Sequence, residues 1–140
     1  MTQTSFDADS RQSPARSIQI VFFTLAVLFN LCLIAQILTV GMAFFYNPEW
    51  WKIHVWLVRG YSGLAPILLG LVYLSPFPQR VQSLTKAIPI LLGLQFLTIH
   101  LKTSLPLGVL HPLIGFALLS VSTTLVHRSQ RVVFPQTEAD

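Results

Sequence analysis

Four long apolar stretches, separated by short turns that carry polar residues and prolines, dominate the chain. They predict helices over residues 18–46, 49–74, 81–101 and 105–127. Each stretch reaches the roughly 20 residues that a helix needs to cross about 30 Å of hydrocarbon at 1.5 Å per residue. Because backbone polar groups in lipid must be satisfied within their own segment, stretches of this length are predicted to be helical. The pattern indicates an all-α fold, an integral membrane up-and-down four-helix bundle.

Short polar tails flank this predicted transmembrane domain of residues 18–127. Residues 1–17 are polar and contain a proline, which is typical of a disordered tail. Residues 128–140 begin with basic residues and end with acidic ones. No internal repeat is evident from the sequence, so we interpret the chain as one domain.

The composition supports lipid as the main solvent of the chain. Of its 140 residues 53% are hydrophobic and only 10% are charged, whereas soluble domains carry about 25% charged residues. One cysteine, Cys32, excludes an internal disulfide.

The distribution of Lys and Arg predicts the orientation. The tails and the loop between the second and third predicted helices carry six basic residues: Arg11, Arg16, Arg80, Lys86, Arg128 and Arg131. The opposite end offers Lys52 and Lys102. Since basic residues favour cytoplasmic loops, both termini are expected in the cytoplasm, with the chain in a bacterial inner (or thylakoid) membrane. The net charge of +4 is therefore interpreted as a topology signal, and no nucleic-acid partner is predicted.

Three histidines are predicted to lie at the outer end of the bundle. His54 follows Pro48 by six residues and His111 follows Pro106 by five. Both prolines suit the start of a helix, so both imidazoles are expected about 8 Å below their helix starts. His100 ends the third predicted helix on the same side. The three rings are expected to converge in one leaflet.

Two of these histidines have the placement of axial haem ligands. In an up-and-down bundle the second and fourth helices lie diagonally across the core, and neutral imidazole is a common axial ligand of haem iron. His54 and His111 are therefore the predicted metal ligands of a haem b. His100 should be shallower and is assigned a hydrogen bond to a haem propionate or a quinone carbonyl.

Further residues are assigned to the same site by helical spacing. Tyr61 shares the face of His54, and Gly115, one turn below His111, would leave room for a porphyrin edge. Arg59 lies about 13 Å below Trp50 and is expected to reach lipid phosphate, a partner subunit or a haem propionate. Small residues in membrane helices also serve helix packing, and this interpretation stays open for Gly115.

The segments "HVWLVRGYSG" and "LHPLIGFALL" resemble the haem-binding halves of membrane b-type cytochromes and of haem A synthase-like proteins. Residues 45–128 also resemble an uncharacterised family of short four-helix bacterial membrane proteins. The first resemblance implies that His54 and His111 are axial ligands. The first predicted helix has no histidine, and the inner end has only His127, so no second haem is implied.

Three functions remain in consideration. The leading one is a small haem b protein that transfers electrons near the outer face, with a quinone as candidate partner, an electron carrier or complex subunit more than a stand-alone enzyme. The second is an accessory subunit of a larger respiratory or photosynthetic complex, in which a histidine binds a (bacterio)chlorophyll. The third is a structural membrane protein without a cofactor, whose partners are lipids.

Hydrolytic chemistry is disfavoured because the chain lacks carboxylates inside the predicted helices. The acidic residues lie in the tails or at a helix start: Asp7, Asp9, Glu49, Glu138 and Asp140. General acid–base catalysis by a buried carboxylate pair is therefore excluded. A zinc ion on three histidines is geometrically conceivable, but no carboxylate is placed to orient their rings.

Overall fold

The structure is a computed structural model that describes residues 14–101 and 106–135, and these residues are helical with no strand. The helices are α1 (Pro14–Phe45), α2 (Trp50–Tyr61), α3 (Leu64–Leu71), α4 (Gln79–His100) and α5 (His111–Val133). A single 3-10 turn, Leu107–Leu110, precedes α5. The all-α prediction is confirmed, and α2 and α3 together make the second of four helical rods.

The rods form a ring in which α1 contacts α2, α3 and α5, while α4 contacts α3 and α5. The α2–α3 rod and α5 therefore lie diagonally across the bundle. One end of the bundle holds the end of α1, the start of α2, the end of α4 and the start of α5; we name it the histidine end. The other end, where α1 begins and α5 finishes, is the terminal end.

Three helical segments are long and apolar enough to cross a membrane, and they are compatible with an integral membrane protein: Pro14–Phe45, Gln79–His100 and Leu107–Val133. Large apolar side chains point outward along them, as expected for surfaces that face lipid. The fourth predicted span, 49–74, is divided into the shorter helices α2 and α3.

Pro66 explains this division. In an unbroken helix the carbonyl of Ser62 would accept the backbone N–H of residue 66, but proline has none. The Ser62 carbonyl instead accepts the N–H of Ala65 at 3.2 Å, a tighter 3-10 bond. The helix is therefore interrupted at Ser62 and Gly63, between α2 and α3.

A second proline sets the start of α5. Pro112 lies in its first turn and cannot donate to the carbonyl of Gly108, so the preceding turn is a 3-10 helix. His111 is thus the first residue of the α-helix, whereas the sequence predicted it about one and a half turns inside. At its other end α5 continues to Val133, six residues beyond the predicted limit at 127.

Polar contacts join α1 to α5 along the bundle. The Asn30 amide donates to the hydroxyls of Ser122 and Thr123, at 3.2 and 3.0 Å. At the terminal end the Arg16 guanidinium donates to the carbonyl of Val133 at 3.1 Å. Between these contacts the core is apolar and fully buried around Phe22, Phe29, Leu68, Ile88, Leu118 and Leu125. The core fixes the depth of the histidine end relative to the rest of the bundle.

Candidate histidine site

The ring of His54, in α2, is held by α1. Its Nδ1 lies 3.3 Å from the carbonyl oxygen of Gln36 and 3.1 Å from the hydroxyl oxygen of Thr39. The Thr39 hydroxyl itself donates to the Gln36 carbonyl at 2.7 Å. Because a carbonyl oxygen can only accept, the Nδ1 of His54 carries the hydrogen. The Nε2 of the neutral ring is then left with a lone pair.

The ring of His111, at the start of α5, is held in the same manner by α4. Its Nδ1 lies 3.1 Å from the carbonyl oxygen of Gln95, and the Thr98 hydroxyl donates to that same carbonyl at 3.1 Å. His111 is therefore also an Nδ1–H tautomer when neutral. Each histidine thus donates a hydrogen bond from Nδ1 to a backbone carbonyl of the neighbouring helix.

The two histidines differ at Nε2. The Nε2 of His111 accepts a hydrogen bond from the Gln95 side-chain amide at 3.2 Å. The corresponding amide of Gln36 donates instead to the backbone carbonyl of His54 at 3.0 Å. Within residues 14–101 and 106–135, no hydrogen bond reaches the His54 Nε2. Only the His54 lone pair is open in this arrangement.

Both rings lie at the histidine end on diagonal rods and are half-buried. Both glutamine side chains keep a buried Oε1 atom without a hydrogen-bond partner among the described residues. A buried acceptor without a donor is unfavourable, so a water or ligand donor would stabilise each of them.

The other predicted site residues lie outside this arrangement. The Nδ1 of His100 donates to the Phe96 carbonyl in its own helix at 2.8 Å, and His100 is exposed. Arg59 is exposed and stacks over Trp56 at 6.0 Å from the ring centroid. Tyr61 is buried and packs edge-to-face on Phe29, with ring centroids 5.5 Å apart. It therefore belongs to the core below His54.

Gly115 contacts Gln95 rather than an open space. A Cβ atom at position 115 would lie 3.1 Å from the Gln95 Nε2, closer than most contacts of this kind. The absent side chain thus makes room for the amide that holds His111. Its proposed use as clearance for a porphyrin edge requires that amide to move.

Three histidines do not gather into one metal centre. In the part of the chain that the structure describes, no three His, Cys, Asp or Glu side chains form a group that could hold a metal ion. At the terminal end, the His127 Nε2 accepts from the Arg131 guanidinium at 3.0 Å. A groove of about 610 Å³ between α1 and α2 is lined mainly by apolar residues, together with Cys32, Lys52 and Tyr61, and neither His54 nor His111 lines it.

Gln36, Gln95, Thr39 and Thr98 are the site residues that the sequence reasoning missed. A signal was present, since "QILT" at 36–39 and "QFLT" at 95–98 repeat the same spacing, each upstream of a histidine. Two four-residue matches are too short to recognise without the contacts of the histidine rings.

Residues 36–102 match a protein family of unknown function, DUF6220. The matched segment includes His54 and the two residues that hold its ring, Gln36 and Thr39. It also includes Gln95 and Thr98, and it ends before His111. No curated protein and no solved structure shows significant similarity to the chain.

Proposed function

We propose that the chain is a small integral membrane protein that binds one haem b between His54 and His111 and carries single electrons at the histidine end. The observation that carries this proposal is the tautomer of the two rings. Each donates its Nδ1–H to a backbone carbonyl, which leaves Nε2 as the atom able to bind a metal. Metal-binding histidines are typically oriented in this way by a carbonyl or carboxylate.

The surrounding residues suit this function in different ways. A bound haem supplies a one-electron ferric–ferrous couple. The carbonyls of Gln36 and Gln95 orient the rings, and the apolar core below them excludes water. Arg59 and His100 are exposed near the same end of the bundle, where they could neutralise propionates or hydrogen-bond a quinone. The His54 Nε2 is free to act as an axial ligand. The His111 Nε2 can do so only when its hydrogen bond from the Gln95 amide is broken.

The orientation belongs to the same proposal. Arg16 lies in the first turn of α1, Arg80 and Lys86 in the first turns of α4, and Arg128 and Arg131 in the last turns of α5. These positions are all near the terminal end, and the positive-inside preference favours that end for the cytoplasm. The histidine end then faces the outside of a bacterial inner membrane or the lumen of a thylakoid. Electron exchange would take place at that face, with a quinone or another membrane subunit as partner.

One observation favours a second candidate, an accessory subunit that binds a (bacterio)chlorophyll. Only one of the two Nε2 atoms is open, and the magnesium of a chlorophyll requires a single axial imidazole. In this case His54 alone would bind the pigment, and His111 would stay bonded to Gln95. The two candidates differ in absorption spectrum and in their dependence on His111.

The deciding experiment is an absorption spectrum of the purified protein, oxidised and then reduced with dithionite, together with a pyridine haemochrome assay. We expect a Soret band in the wild type that is lost in His54→Ala and in His111→Ala. His127→Ala is the matched control, because His127 lies at the terminal end and pairs with Arg131. A red-shifted pigment band that depends on His54 alone would support the second candidate. A colourless protein of unchanged stability in both variants would indicate a cofactor-free structural protein.

His100→Ala tests the separate role assigned to the exposed histidine. Because its ring bonds its own helix, the variant should retain haem and change only the reduction potential or the reactivity toward a quinone. Loss of haem from His100→Ala with retention in His111→Ala would mean that the ligand belongs to the other helix.

A further inference from the structure

The buried positions of α1 recur in α4 at a constant offset of 59 residues. Gln36 and Thr39 correspond to Gln95 and Thr98 (36 to 95, 39 to 98). The same offset relates the buried core residues of the two helices, which are Phe22, Ala26, Phe29 and Leu33 in α1 and Val81, Thr85, Ile88 and Leu92 in α4. The two helices therefore have the same pattern of buried positions, and each carries a Gln and a Thr, three residues apart, that contact a histidine of the next rod or its carbonyl acceptor.

The second rod and α5 are related in the same way at an offset of 57 residues. His54 corresponds to His111 (54 to 111). The buried positions again coincide, with Tyr61, Ala65, Leu68 and Val72 matching Leu118, Ser122, Leu125 and Ser129. The two helical hairpins thus repeat one pattern of buried positions, with a histidine at the same place in each. The sequence alone concealed this repeat, because pairs such as Tyr61 and Leu118 share burial but not chemistry.

Each hairpin contains two rods, so the second hairpin enters the bundle in the same direction as the first. Repeats of this parallel kind are related by an axis along the membrane normal. Equivalent residues of such a repeat lie at the same depth, as His54 and His111 do at the histidine end.

One pair of corresponding positions carries different residues, and this difference accompanies the different hydrogen bonding of the two histidines. Val58 in α2 corresponds to Gly115 in α5 (58 to 115). At Gly115 the Gln95 amide occupies the space that a side chain would take, with the Nε2 of Gln95 3.1 Å from where a Cβ would be. From there it bonds the His111 ring. Val58 carries a half-buried side chain at the equivalent position, and the Gln36 amide bonds the His54 backbone instead.

We propose that Gln95 is a positioning residue that controls the ligand-binding nitrogen of His111, and that Gly115 is the residue that permits it. His54 is then the histidine that is open to a ligand first. His111 follows when its Nε2 exchanges the Gln95 amide for the ligand. The role of Gln95 in haem binding rests on the proposed function, whereas the hydrogen bond itself does not.

The hydrogen bond is tested in the full-length protein without haem, with 15N-labelled histidine in detergent micelles, where the Nε2 resonance reports whether the lone pair accepts a hydrogen bond. We expect a bonded His111 Nε2 and an unbonded His54 Nε2. Gln95→Leu should move the His111 resonance to the unbonded position. Gln82→Leu is the matched control, because the Gln82 amide lies in the same helix near the terminal end and bonds the Phe77 carbonyl; it should leave both Nε2 resonances unchanged.

Gly115→Val provides a second route to the same outcome without altering Gln95. A valine there reproduces the first hairpin and should displace the amide, so His111 becomes unbonded as in Gln95→Leu. An unbonded His111 in the wild type, or a bonded one in both Gln95→Leu and Gly115→Val, would overturn the proposal.

Haem titration provides the second readout. Gln95→Leu should bind haem more tightly, by the order of tenfold, because one competing hydrogen bond is removed. The control Gln82→Leu should bind haem like the wild type. Equal affinities for the wild type and Gln95→Leu would exclude control by Gln95 while leaving haem binding intact. If no variant binds haem, the proposed function fails, and the NMR result still decides whether Gln95 holds His111.

Discussion

At the scale of single residues, each histidine ring shares its carbonyl acceptor with a threonine hydroxyl, and the two threonines are not equivalent. The Thr39 hydroxyl contacts both the Gln36 carbonyl and the His54 Nδ1. Thr98 contacts only the Gln95 carbonyl. Thr39 therefore acts directly on the ring that has the open Nε2. Thr98 acts only through the carbonyl.

We expect Thr39→Val to lower haem affinity by about tenfold, which is the smaller end of the effect of removing a second-sphere contact in metal sites. Valine keeps the volume of threonine but removes the hydroxyl, so the His54 ring retains only the 3.3 Å contact to the carbonyl. Thr98→Val should have a smaller effect. Haem titration followed at the Soret band measures both.

Thr24→Val is the control for this series, because its hydroxyl bonds the Ile20 carbonyl on an exposed surface of the same helix. It should leave haem affinity unchanged. An equal loss in Thr24→Val and Thr39→Val would show that the effect arises from the helix and not from the ring.

At the scale of helices, two prolines determine how the histidine-bearing segments enter the bundle. Pro66 divides the second rod, and Pro112 places the start of α5 at His111. Pro89, in contrast, lies inside α4 without ending it. The context of a proline therefore decides whether a helix stops.

Pro66→Ala should join α2 and α3 into one helix, because an alanine N–H at position 66 can bond the Ser62 carbonyl. We expect the backbone amides of residues 63, 64 and 66 in this variant to be protected from hydrogen exchange. A straighter rod would also shift His54 away from Gln36 and Thr39 and weaken haem binding. Pro89→Ala serves as the control and should leave the number of helices unchanged. Fast exchange at residues 63, 64 and 66 in Pro66→Ala would assign the break to packing instead.

The polar contact between α1 and α5 gives a prediction for stability. Asn30→Leu removes two hydrogen bonds to Ser122 and Thr123, each of which contributes about 0.6 kcal/mol on average between membrane helices. We expect the free energy of unfolding to fall by about 1 kcal/mol, measured by denaturant titration in mixed micelles. Ser120→Ala should change it little, since that hydroxyl bonds only its own helix.

Much of the helical framework could be predicted from hydrophobic periodicity, because apolar length alone determines where a helix can span a bilayer. The end of the bundle that carries His54 and His111 also followed from the sequence, but Pro106 misplaced the start of the last helix, which begins at His111. The break at Ser62 could not be predicted from apolarity, because it depends on one missing backbone donor. In our proposal the different bonding of His54 and His111 arises because position 58 carries a side chain and position 115 does not, and that difference in space becomes visible only when the helices are packed.

At the scale of the whole molecule, the two hairpins run through the bundle in the same direction, so both must have the same orientation in a membrane. Basic residues at the terminal end of either hairpin therefore favour the same orientation of both. Only two orientations are then available, one with the terminal end in the cytoplasm and one with the histidine end there, and one experiment can distinguish them.

Single cysteines placed in a Cys32→Ser background test it. We expect an impermeant maleimide to label Asn47→Cys in intact cells and Gln79→Cys only after the membrane is opened, because these positions lie at opposite ends of the bundle. The reverse pattern would place the histidine end in the cytoplasm.

The division of the second rod also has a consequence for the biogenesis of the protein. The insertion machinery admits segments according to their apolarity, and a central Lys or Arg costs about 2.5–3.5 kcal/mol. The α2 helix is short and carries Lys52 and Arg59, whereas α1 is long and free of charge after Arg16. We therefore expect α2 and α3 to enter the bilayer only together with α1, which already offers Gln36 and Thr39 as polar partners. The contacts of His54 with Gln36 and Thr39 would then form during synthesis, before the second hairpin leaves the ribosome.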